Sequence, residues 1–221
     1  NVMRLVSATE DIVFIKADSP TGTVRLEGAL AVPQSAKGIV LFAHGGGSSR
    51  HSPRNNYVAG VLRKAGLATL LMDLLTRDED INYETRFDIN LLTLRLKTAT
   101  EWLIEDDRTK RLKIGYFGAS TGAAAALQAS VAAGDTIGAI VSRGGRPDLA
   151  ERYLPKVTAP VLLIVGGRDD AVIELNRHAY NRLICVKELV IVPGATHLFE
   201  EPGTLEEAAK LAAEWYKKYL R

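Results

Sequence analysis

The stretch that decides the fold is Ile114-Gly115-Tyr116-Phe117-Gly118-Ala119-Ser120-Thr121-Gly122, with Ala123 through Ala126 directly behind it. An apolar β-type run leads in, and a run of small helix formers leads out. Between them lies G-x-S-x-G, the form of a serine set on a sharp strand-to-helix turn. Glycines at 118 and 122 remove the side chains that would collide as strand and helix close up. The alanines keep the helix slim against a sheet, and the helix start places free N–H groups and partial positive charge beside Ser120. A serine before a helix is otherwise a common cap, so the assignment depends on the rest of the chain.

Working outward, the chain alternates strand and helix patterns. On the N-terminal side, Asp11 to Ala17 and Thr23 to Val32 read as a hairpin across Ser19-Pro20-Thr21-Gly22. Gly38 to His44 is a continuous apolar run, suited to a strand buried on both faces. A Gly/Ser-rich loop, Gly45 to Pro53, precedes a helix closed by Gly66, and Leu67 to Met72 is another buried strand. Asp73 to Arg86 reads as a long polar loop. Phe87 to Glu105 reads as a helix with Leu91, Leu94, Thr98 and Trp102 on its apolar stripe.

On the C-terminal side, a helix over Thr121 to Ala133 is followed by a strand, Ile137 to Ser142, and a polar loop, Arg143 to Asp148. The strand Val161 to Val165, a helix over Ala171 to Leu183, the strand Lys187 to Val192 and a closing helix over Thr204 to Tyr219 complete the pattern. Thr204 and Glu207 have capping-box spacing. The pattern is that of an α/β fold with a mostly parallel sheet, and residues 1–221 suit a single domain.

Composition bounds the function classes. The chain has 47% hydrophobic and 24% charged residues and a formal charge of +2, so bulk charge gives no argument for nucleic acid or an acidic membrane. One cysteine, Cys185, excludes an internal disulfide and fits a reducing compartment. No apolar run approaches a membrane span. A cytoplasmic monomer or small homo-oligomer without membrane or nucleic-acid partners is expected.

In such sheets functional loops gather at the C-terminal ends of the strands. Ser120 needs a base. Of four histidines, His197 follows the last strand, in Pro193-Gly194-Ala195-Thr196-His197. His178 sits in a helix, His51 in a loop, and His44 ends a strand where it can orient the Gly-rich loop. Asp169 and Asp170 follow the Val161–Val165 strand. Asp169 is nearer the strand end and is preferred as the carboxylate orienting the base, while Asp170 can cap the next helix. The order Ser120, Asp169, His197 is that of a triad on this sheet type. The oxyanion donors expected are the Thr121 N–H and one from His44-Gly45-Gly46-Gly47. No histidines have metal-ligand spacing with thiol or carboxylate support, and no Gly-Lys-Ser/Thr follows the glycines, which disfavours a phosphate loop.

Four motifs together, His44-Gly45-Gly46-Gly47-Ser48-Ser49-Arg50, Gly118-Ala119-Ser120-Thr121-Gly122, Gly167-Arg168-Asp169-Asp170-Ala171-Val172 and Gly194-Ala195-Thr196-His197, make the chain resemble the α/β-hydrolase superfamily, within it the dienelactone hydrolase-like group. The resemblance implies an eight-stranded sheet with its second strand antiparallel, helices on both faces, no large cap and a Ser-His-Asp triad. It also implies Gly46, rather than Gly45, as the second oxyanion donor. Two departures stand out. Ser120 occupies the place of that enzyme's cysteine nucleophile, and Gly45 that of a loop glutamate. Cleavage of a small carboxylic ester by a serine nucleophile, without a cofactor, is the expected activity, with a catalytically weak or inactive module of the same fold as the alternative. Substrate contacts are expected from His44, Arg50, Arg143 and Arg146, with Arg54 near them. The competing reading of these arginines is surface charge paired with Asp73 and Asp148.

Overall fold

The computed structural model describes residues 9–45 and 49–221. Eight strands form one sheet: β1 (Asp11–Ser19), β2 (Gly22–Ala31), β3 (Gly38–Ala43), β4 (Ala68–Met72), β5 (Lys113–Ala119), β6 (Ile137–Arg143), β7 (Val161–Gly166) and β8 (Lys187–Val192). Their order is β1-β2-β4-β3-β5-β6-β7-β8. β1 and β2 pair antiparallel, β2 runs antiparallel to β4, and every other neighbouring pair is parallel. The expected topology, including the antiparallel second strand, is present.

Burial explains why the parallel strands carry continuous apolar runs. β3, β4 and β7 are buried at every residue, because helices cover both faces. One face carries α1 (Pro53–Lys64) and the closing helix, Thr204–Tyr219, with Val58, Leu62, Ala209 and Tyr216 packed on Phe42, Phe117 and Val141. The other carries α3 (Ile89–Glu105), α4 (Thr121–Ala133) and α5 (Asp170–Arg182), with Leu96, Leu127 and Ala179 on Leu41, Tyr116 and Leu163. With α2 (Arg77–Ile81) between β4 and α3, the closing helix is α6. No described helix is long and apolar enough to cross a membrane.

Four local readings change. The stretch from Asp73 to Arg86 is not all loop. It holds α2, which has a full capping box between Thr76 and Glu79, and the start of a 3-10 turn, Thr85–Phe87. The α3 stripe is rotated. Leu92, Leu96, Ala99 and Leu103 face the core, whereas Leu94 is exposed. Arg95 shares that buried face because Glu79 meets it with a bidentate pair, so α2 turns a charged position inward. A kinked 3-10 segment, Pro147–Lys156, begins inside the expected Arg143–Asp148 loop and runs beyond it, with Ala150 and Leu154 buried. Finally, the α6 box does not form. Gly203, at φ 81°, is the N-cap, and the Thr204 hydroxyl donates back to the Glu201 carbonyl.

Candidate active site

Backbone packing fixes Ser120 before any side chain acts. It sits between β5 and α4 at φ 49°, ψ −126°, a strained conformation for a residue with a Cβ. The turn is so close that a Cβ on Gly122 would lie 2.1 Å from the Ala43 carbonyl oxygen, and one on Gly118 would lie 2.5 Å from the Ala123 Cα. Neither neighbour can yield, because each is backbone. The Ser120 carbonyl accepts from the Ala123 and Arg146 N–H groups at 3.2 and 3.0 Å, tying the elbow to the loop after β6. A Cβ on Gly45 would lie 2.8 Å from that of Ser120, so the bare backbone at 45 leaves the serine's front open.

His197 and Asp169 reach Ser120 from the ends of β8 and β7. The Arg168 N–H donates to the Ala195 carbonyl at 2.9 Å, which locks the two loops together. Glu201 closes the His197 loop by accepting from the Thr196 N–H and hydroxyl at 2.7 and 2.6 Å. The hydroxyl bond, first, holds the Glu201 carboxyl below its ordinary value. Asp169 is the N-cap residue of α5 but makes no cap bond. Its carboxylate instead lies 2.7 Å from His197 Nδ1. A proton on Nδ1, donated to Asp169, leaves the Nε2 lone pair facing Ser120 Oγ at 3.4 Å. Such contacts are commonly long before substrate binds. Asp170 is the first residue of α5.

Two clefts meet at Ser120 and His197. One, of about 350 Å³, is lined by Tyr83, Phe87 and Val172, with Arg86, Arg146, Thr121 and Asp169 at its polar edge. The other, about 170 Å³, runs beneath His44 and Gly45 to Arg54, Asn55 and Arg143. Tyr83, Phe87, Val172 and Asn55 are lining residues that the sequence reading did not single out. Thr76-Arg77-Asp78-Glu79, the capping spacing that starts the segment carrying the two aromatics, was the available signal.

The expected substrate-contact residues fall into different situations. Arg50 is committed elsewhere: its guanidinium pairs with Glu27, and its N–H donates to Asp73 at 2.7 Å. Arg146 makes a bidentate pair with Asp148 at 3.0 and 2.9 Å. His44 Nδ1 lies 3.1 Å from the Gly45 carbonyl, and Nε2 lies 3.5 Å from Asp73. Burial pushes the Asp73 carboxyl up, but the His44 ring and the Arg50 N–H and charge outweigh it and leave it below its ordinary value. Arg143 ends β6, one residue beyond the expected strand, and is 5% exposed. Thr121 is the first residue of α4, so its N–H has no intrahelical partner. Gly46 lies outside the described residues. His178 is exposed and pairs with Glu151, and His51 lies near His44 in a further cleft. The described residues contain no His/Cys/Asp/Glu cluster able to hold a metal.

The sheet order, the strained serine turn and its flanking loops define an α/β-hydrolase fold. The chain belongs to the dienelactone hydrolase family, whose sequence profile matches residues 26–221. A crystal structure of a dienelactone hydrolase from Anabaena variabilis is 55% identical, with a TM-score of 0.92, covering 97% of this chain and 100% of that one. The esterase Est1E of Butyrivibrio proteoclasticus shares the fold at 17% identity and a TM-score of 0.78, over 93% of this chain and 98% of that one. A Mycobacterium tuberculosis protein that carries the provisional name of a phosphoribosyl transferase is 57% identical over 199 residues. The match takes in 90% of this chain and 45% of that protein, so the chain spans under half the length of this curated relative. The chain is thus a member of a hydrolase family.

Proposed function

We propose that the chain is a serine hydrolase cleaving small carboxylic esters through an acyl-enzyme. The observation that carries this reading is the line Ser120 Oγ–His197 Nε2–Asp169, at 3.4 and 2.7 Å, on the strained elbow. His197 Nε2 takes the Ser120 proton as Oγ bonds to the acyl carbon. The oxyanion is held by the N–H of Thr121 and, by the resemblance of the loop, that of Gly46. Collapse breaks the bond to the alcohol oxygen, which leaves with the proton from His197. Water then attacks the acyl carbon, giving its proton to His197. Oγ departs with that proton and the acid is released. Asp169 fixes the tautomer and stabilises the imidazolium throughout. No cofactor enters these steps.

The family assignment and the two clefts meeting at Ser120 support the reading. The transferase name belongs to a protein of which the matched part is 45%, and we assign acyl chemistry to this chain. A fluorophosphonate should label wild-type protein at Ser120 and turnover of p-nitrophenyl butyrate should be measurable. Labelling that survives in Ser120→Ala sinks the assignment.

A further inference from the structure

Among the described residues most buried or half-buried arginines near the site have acidic partners. Arg95 is fully buried, and Glu79 meets it twice while the Leu74 and Asp18 carbonyls accept the rest. Arg50 has Glu27 and Asp73, and Arg146 has Asp148. Arg143 and Arg54 do not. Arg143 is 5% exposed, its Nε is buried without a hydrogen-bond partner, and the same holds for the Nε of Arg54. Among the described residues neither side chain forms an ion pair or a hydrogen bond. The neighbour that holds the Arg143 guanidinium is the ring of Phe199, 5.4 Å away and buried.

The two cations also line the same cleft. Burial, and then the Arg54 charge, push the Arg143 guanidinium down to about 10, so it remains a cation at neutral pH. A desolvated guanidinium beside a second one is unfavourable unless a third group compensates it. Both side chains line the 170 Å³ cleft that opens on Ser120 and His197, and among the described residues no carboxylate lines it. The remaining polar side chains of the lining are Ser52, Asn55, Ser120, His44 and His197.

We propose that Arg143 and Arg54 form a subsite for an anionic group, a carboxylate or a phosphate, carried by the ester that Ser120 attacks. The identification of the anion's carrier as an ester rests on the serine hydrolase reading above, whereas the anion subsite does not. Arg supplies paired N–H donors matched to either oxyanion. The cleft's small volume suits a charged group on a short arm. The opposite cleft, with Tyr83, Phe87 and Val172, takes an apolar half. The substrate class is therefore an ester with a short charged half and an apolar half, its scissile bond at Ser120.

The test is binding to Ser120→Ala protein, measured by titration calorimetry with phenylphosphonate, benzoate and the neutral benzyl alcohol. Both anions should bind, and should weaken about tenfold to hundredfold in Arg143→Gln and Arg54→Gln backgrounds, the loss expected for charge-assisted hydrogen bonds. Benzyl alcohol should not discriminate these proteins. Tighter phenylphosphonate marks a phosphate site, and tighter benzoate a carboxylate site. Arg54 is only half-buried, so its variant tests the subsite even if Arg143→Gln fails to fold. In serine-intact protein, the ratio of kcat/KM for p-nitrophenyl hemisuccinate over p-nitrophenyl butyrate should fall by the same factor in each variant. Anions that bind no better than benzyl alcohol, or equally well in both arginine variants, overturn the subsite. Anion binding that depends on both arginines, in a protein that neither turns over esters nor takes the fluorophosphonate, leaves the subsite standing and removes the hydrolase reading.

Discussion

Replacing Glu79 by Gln should unsettle the whole edge of the larger cleft. Arg95 is fully buried, and two of its four hydrogen bonds go to Glu79, at 2.8 and 2.7 Å. Gln keeps the shape but removes the charge, which leaves a buried guanidinium uncompensated. Breaking a buried pair from one side costs about 3–5 kcal/mol. For a chain of this size that corresponds to a midpoint lowered by about 6–20 °C. Urea unfolding should show a lower midpoint at unchanged slope. The double variant Glu79→Gln/Arg95→Met, which removes both charges, should recover part of the loss. Because the segment from Glu79 leads directly to Tyr83 and Phe87, KM for aromatic esters should rise before kcat changes. A loss below about 1 kcal/mol, or a double variant that simply sums the singles, would refute the claim that this ion pair anchors the cleft wall.

Acid should reveal the same pair. The Arg95 hydrogen bonds, first, hold the Glu79 carboxyl below its ordinary 4.5, so its stabilisation is present above 4.5 and lost as pH falls through the lowered value. Wild type should lose more stability than Glu79→Gln across that window in a series of melting curves. Asp169→Asn should lower kcat by about 10⁴ with little change in KM, since it disturbs the tautomer of His197 and not substrate binding. Gly122→Ala puts a methyl 2.1 Å from the Ala43 carbonyl, so the purified protein should lose fluorophosphonate labelling as well as melting temperature. Burial pushes the Cys185 thiol above 9, so iodoacetamide at pH 8 should react slowly with native protein and quickly in urea.

What could be read from the chain was what depends on local pattern. The buried strands announce themselves as apolar runs, and Ser120, Asp169 and His197 each sit at a strand's C-terminal end, where a parallel sheet gathers its loops. What could not be read depends on contacts between distant segments. Leucines at 91, 92, 94 and 96 allow several helix faces, and the one chosen includes Arg95 because Glu79 happens to meet it. Thr76…Glu79 and Thr204…Glu207 share a spacing, but only the first has a threonine at the N-cap; Gly203 takes that place in the second. Arg50, Arg143 and Arg146 look alike as loop arginines. A single extra residue of β6, pairing Arg143 with Ile164, carries that one into the interior while the other two find carboxylates.

From β5 onward the order of strands across the sheet is their order along the chain, β5-β6-β7-β8. Ser120, Arg143, Asp169 and His197 stand at or just beyond the ends of these four strands in turn. Growth from the N-terminus therefore adds these four one at a time: first Ser120, then Arg143, then Asp169. His197 arrives last, 77 residues after Ser120, behind the edge strand that completes the sheet. On the serine hydrolase reading, a chain halted before β8 holds the elbow at Ser120 without the His197 that would take its proton.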